Sequence, residues 1–110
     1  MAIPHAAPNE IIDVRPLGRE IREQDSQLLI RTEHLEVFRH ALPAGKSIQE
    51  HTAAGVMIVQ CIEGAVAFTA LGRTQTLSAG DLLYLADEAP HSLAALADSS
   101  LLVTILLHRT

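Results

Sequence analysis

From Gln27 onward, apolar residues recur in short segments with a period near two, cut by turn residues. That is the strand period, because successive side chains leave a strand on opposite faces. The segments are Gln27 to Thr32, Leu35 to Leu42, Val56 to Ile62, Ala65 to Ala70, Arg73 to Leu77, Leu82 to Leu85, His91 to Leu96 and Leu101 to His108. Between them stand Pro43-Ala44-Gly45, Glu63-Gly64, Leu71-Gly72, Ser78-Ala79-Gly80-Asp81, a break at Asp87, Glu88 and Pro90, and Asp98-Ser99-Ser100. Such residues supply the backbone reversals that strands need. About eight strands at this rhythm predict an all-β sandwich or barrel.

Met1 to Asn9, with Pro4 and Pro8, reads as a loose leader. Ile11, Ile12, Val14, Leu17 and Ile21 then form a sparse apolar set, broken by Pro16 and Gly18, that should pack on a surface. Only 3% of the residues are aromatic, so the core must be aliphatic. A barrel within 110 residues has a small core and gains from further burial. Val56, Ile58 and Ile62 alternate with Met57, Val59 and Cys61, so both faces of that strand are apolar. A homodimer is therefore expected, with the extension and first strand within residues 1–34 near its interface and the barrel over 35–110.

The eight basic residues are scattered among thirteen acidic ones, for a net charge of -5. No basic stripe exists to follow a phosphate backbone, so no nucleic-acid partner is expected. Cys61 is the only cysteine, which rules out an intrachain disulfide and a cysteine zinc cluster. Met1 to Pro8 lacks the basic start and apolar stretch of a signal peptide. Leu101 to Leu107 is too short to span a bilayer. A cytoplasmic location and no membrane partner are expected.

The spacing of glycines and histidines resembles the two motifs of the cupin family. Five residues separate Gly45 from His51, and six separate Met57 from Gly64, as in the first motif. Ala53 stands where that motif has its second His, and Met57 where it has its Glu. In the second motif, Gly80-Asp81 opens a strand and Pro90-His91 closes the loop. Ala86, Glu88 and Ala95 replace that motif's Pro, Gly and Asn. The resemblance covers Leu35 to Leu107. It implies a double-stranded β-helix, the jelly-roll barrel of RmlC-like cupins. It also implies that Gly45, Gly64 and Gly80 sit at turns needing a positive φ or a close backbone approach.

In metal-binding cupins three His and one Glu converge inside the barrel on a divalent ion. Here the resemblance retains His51 and His91 as metal candidates, while Ala53 cannot ligate and Met57 offers only a soft thioether. Two imidazoles without a carboxylate predict weak binding of a divalent metal, or none. Alternation from Met57 puts Val59 and Cys61 on the same inward face. The expected pocket is therefore His51, Ala53, Met57, Val59, Cys61 and His91. Those sulfur and nitrogen donors could capture copper(I) or zinc, but the stronger reading is that Met57, Val59 and Cys61 simply fill the barrel. His40 reads as an ordinary strand residue that could reach the mouth, and Gln60 as facing away from Met57. Arg39, Arg73 and Tyr84 read as packing or solvated residues, with anion or phenol contacts at a mouth as the alternative.

No nucleophile elbow, P-loop or dinucleotide fingerprint is present. The expected function is small-molecule binding in the barrel without a tightly held catalytic metal. The alternative is a metal-dependent enzyme of dioxygenase or isomerase type with an unusual ligand set including His51 and His91. Storage or interaction without pocket chemistry is a third reading. Whether the chain is an enzyme is left open by these residues, because one barrel hosts many chemistries.

Overall fold

Strand β4, Gly55–Glu63, carries the alternation most clearly: Met57, Val59 and Cys61 are buried, while Val56, Ile58 and Gln60 on the other face are half-buried. Eight further strands surround it: β1 (Gln27–Arg31), β2 (Leu35–Leu42), β3 (Ser47–His51), β5 (Ala65–Ala70), β6 (Arg73–Ser78), β7 (Leu82–Leu85), β8 (His91–Ala95) and β9 (Ser99–Leu107). The structure, a computed structural model, describes residues 6–24, 26–53, 55–86 and 88–107. The expectations attached to Met1 to His5, Asp87 and His108 lie outside the described residues.

The strands form two antiparallel sheets, ordered β1-β2-β9-β4-β7 and β3-β8-β5-β6. Their facing sides make the core, built on Leu42, Met57, Val59, Phe68, Leu77, Leu85, Leu93, Leu101 and Val103. This is the expected double-stranded β-helix of an all-β chain. The described residues hold no helix long and apolar enough to cross a membrane.

Two segments differ from the expectation. Ser47–His51 is a strand that the apolar pattern misses, because it lies at a sheet edge and only Ile48 in it is half-buried. Ser99 and Ser100 open β9 rather than forming a turn, and both are buried. Their hydroxyls make burial tolerable: Ser99 Oγ accepts from the Ala65 N–H at 3.0 Å, and Ser100 Oγ donates to Glu63 Oε2 at 2.7 Å.

Gly64 shows why the β4–β5 corner needs glycine. Its φ is +83°, and a Cβ there would collide with Asp98 O and the Ser99 hydroxyl.

The segment before β1 folds onto its own chain. A 3-10 helix, Gly18–Arg22, buries Ile21. Glu63 accepts the N–H of Leu17 at 2.6 Å and of Gly18 at 2.9 Å. Arg39, only 7% exposed, donates to Arg15 O and Asp13 O. The apolar set expected to pack on a surface thus splits: Ile21 is covered within the chain, Ile12 and Val14 are half-buried, and Ile11 is exposed.

Candidate functional site

The inward positions of both sheets enclose a cavity of about 160 Å³. The five-stranded sheet supplies Phe38 and His40 from β2, Met57 and Val59 from β4, and Leu101, Val103 and Ile105 from β9. The four-stranded sheet supplies Ile48 and His51 from β3, Phe68 from β5, and His91 and Leu93 from β8. Thr52 and Ala53 complete the rim after β3.

The register of β3 against β8 sets His51 opposite His91. Their ring centroids are 4.3 Å apart and the planes tilt by 58°. His51 is at the exposed rim, whereas His91 is 2% exposed. His91 also stacks on Phe68, at 5.7 Å with the planes 6° apart. Each ring lays Nδ1 against the carbonyl two residues earlier, Gln49 O at 2.9 Å for His51 and Ala89 O at 3.0 Å for His91. A carbonyl only accepts, so in the neutral ring Nδ1 carries the proton and Nε2 keeps its lone pair. Among the described residues neither Nε2 has a hydrogen-bond partner.

His40 adds a third imidazole to the wall, a role the sequence reading did not give it. The alternation of β2 turns it inward with Phe38, which it meets edge to face at 4.8 Å. Its Nδ1 is 2.8 Å from Ser26 Oγ. Burial, reinforced by the charges of Lys46 and His51, pushes its pKa down to about 4. His40 is therefore neutral at physiological pH.

Of the pocket residues read from the sequence, the structure brings His51, Ala53, Met57, Val59 and His91 to one cavity. Cys61 is a correction: it does not line the cavity. It shares the inward face of β4, but it lies beyond Val59, where its backbone pairs with Gly80 and Asp81. Its Sγ donates to Glu63 O at 3.3 Å, and burial pushes the thiol pKa up. Such a thiol packs and does not react. Arg39 lies under the N-terminal segment, away from the mouth, and Tyr84 is 65% exposed beside Ile58 on the outer face of the sheet.

The profile of the AraC-like ligand binding domain matches residues 34–106. The chain belongs to this family. Its cupin fold is shared by many solved structures. A conserved protein of unknown function from Streptococcus pyogenes has a TM-score of 0.79, at 21% identity over 100% of both chains. A cupin superfamily protein from Desulfitobacterium hafniense has a TM-score of 0.76, at 17% identity over 94% of this chain and 100% of that one. A salicylate 1,2-dioxygenase from Pseudoaminobacter salicylatoxidans has a TM-score of 0.62, at 29% identity, over 66% of this chain but only 21% of its own length. No curated protein matches the chain.

The divalent metal that cupins can hold does not fit the donors present in this one. Among the described residues no three His, Cys, Asp or Glu side chains converge as a metal site. The two free Nε2 atoms of His51 and His91 lack a carboxylate to balance the charge of iron or manganese. What this cupin's cavity offers instead is two fixed hydrogen-bond acceptors in a mostly apolar wall that also carries His40 and Thr52.

Proposed function

We propose that this cupin binds a small molecule in the barrel cavity and does so without a resident catalytic metal. The observation that carries the reading is the pair of tautomer-fixed imidazoles, with His91 Nε2 buried and unpartnered among the described residues. A buried acceptor left without a donor costs about 1–3 kcal/mol, and a ligand that supplies the donor recovers it. Mostly apolar cavities with a few convergent polar groups are the usual form of a small-molecule site. The metal-dependent reading needs a third protein ligand beside His51 and His91.

Two measurements on the purified protein test this. Thermal-shift screening against small phenols, acids and sugars should raise Tm for at least one class. Elemental analysis of protein made without chelator should find no stoichiometric iron or manganese. No Tm shift, or tightly held iron, overturns the reading.

We also propose a cytoplasmic homodimer. The outer face of the five-stranded sheet exposes Leu82, Tyr84 and Leu106, at 62%, 65% and 45%, beside half-buried Val56, Ile58 and Leu102 on neighbouring strands. A largely apolar face of this kind, interrupted by Gln60 and Thr104, suits a second copy of itself.

A further inference from the structure

The chemistry of the cavity wall defines a narrower class of ligand. We propose that the ligand is a small, neutral phenol whose hydroxyl donates to Nε2 of His91. This inference rests on the reading that the barrel cavity binds a small molecule.

Size is the first argument. The cavity is about 160 Å³. A cavity of roughly 150 Å³ lined by aliphatic and aromatic side chains takes benzene. One six-membered ring with one or two small substituents therefore fills this space.

Charge is the second. Among the described residues the wall carries no Lys, Arg, Asp or Glu. His40 stays neutral down to about pH 4, so it supplies no positive charge. A carboxylate placed here would find no Arg or Lys in the wall to pair with and would depend on an imidazole taking up a proton, which costs more than burial of a neutral group. A neutral ligand avoids that cost.

Hydrogen bonding is the third. The wall's polar side chains are His40, His51, Thr52 and His91. Ser26 engages Nδ1 of His40 and leaves its Nε2 unpartnered among the described residues, while His51 and Thr52 lie at the exposed rim where water serves them. That leaves one deep atom fixed as an acceptor, His91 Nε2. A sugar would bring several hydroxyls to a place able to satisfy at most two of them, and each unpaired group costs about 1–3 kcal/mol. A phenol brings one O–H, more acidic than an aliphatic alcohol and so the stronger donor to imidazole. Its flat ring also matches the parallel Phe68 and His91 planes.

Isothermal titration calorimetry with phenol, anisole, toluene, benzoate and glucose tests each argument. Anisole keeps the ring and the oxygen but cannot donate. Phenol should bind at least about tenfold more tightly than anisole or toluene, the effect of one net hydrogen bond of about 1.4 kcal/mol. Benzoate and glucose should bind more weakly than toluene. In His91→Phe the advantage of phenol over toluene should vanish. If that variant fails to fold, the comparison of phenol with anisole on the wild-type protein decides alone. Equal affinity for phenol, anisole and toluene overturns the donor role and leaves the small-molecule reading standing. Tightest binding of benzoate or glucose overturns the ligand class and again leaves that reading standing. Absence of binding by all five overturns both.

Discussion

His51 and His91 are direct register partners on β3 and β8, and their rings meet at 4.3 Å across the cavity rim. Each is held by a bond from its own Nδ1 to the chain two residues back. The two free Nε2 atoms are thus set by strand pairing, and neither relies on a metal for its orientation.

Rebuilding a metal site on this frame is a direct test of the missing ligands. Ala53 and Met57 line the same cavity as the two imidazoles. Ala53→His with Met57→Glu should convert a protein with little bound iron or manganese into one holding about one equivalent, because a carboxylate then offsets part of the ion's charge. Elemental analysis of the two proteins, prepared alike, reads the difference. Equal metal content in both refutes the assignment.

Glu63 is the latch of the N-terminal segment, with bonds from Leu17, Gly18 and Ser100. Glu63→Ala should cost about 2–3 kcal/mol, since part-buried donors lose a charged acceptor. Limited trypsin digestion should then cut faster at Arg19 and Arg22, whereas the barrel should resist as before. Unchanged cleavage at those sites would show that Ile21 and the Arg39 bonds hold the segment without Glu63.

His40 makes stability depend on pH. Its folded pKa is about 4, below the ordinary 6.5 it regains on unfolding. Between those values the unfolded chain binds more protons, so stability rises with pH. The contribution is complete above 6.5 and is lost as the pH falls toward 4. Denaturant titrations at pH 7 and pH 4.5 should differ by on the order of 1–2 kcal/mol from this residue. His40→Gln keeps a partner for Ser26 and should flatten the profile. An unaltered profile in that variant would assign the pH dependence elsewhere.

Assembly is open to light scattering at micromolar concentration. The wild-type chain should give a dimer mass. Tyr84→Lys places a charge on edge strand β7 of the exposed apolar face, beside Ile58, and should shift the population to monomer with little change in the folded core. A wild-type monomer that persists on concentration ends the proposal.

The strands were legible wherever burial imposes alternation, as in β2, β4 and β5. Ser47–His51 was not, because a mostly exposed edge strand has no burial to write a pattern. The family spacing located His51 and His91, since each is fixed relative to a glycine turn. His40 carried no such mark: only the closing of β2 against β9 brings it to the wall, and that pairing is made far along the chain. Alternation gave Cys61 the correct face but is silent on depth, so it could not tell the cavity from the packing beneath it. The latch at Glu63 was invisible because its partners are mainly backbone N–H groups, which every residue but proline has.

The position of β9 bears on how the protein is made. It is the last of the described strands in sequence, yet it runs between β2 and β4 in the middle of its sheet. Until it arrives, β2 and β4 each present an open row of main-chain donors and acceptors. During synthesis, while the ribosome still holds β9, the barrel cannot close, and those apolar strands are available to neighbouring chains. Refolding in dilute solution should take milliseconds to seconds, as for other chains dominated by distant pairings. Yield on overexpression should therefore depend on chaperone supply more steeply than the stability of the finished barrel suggests.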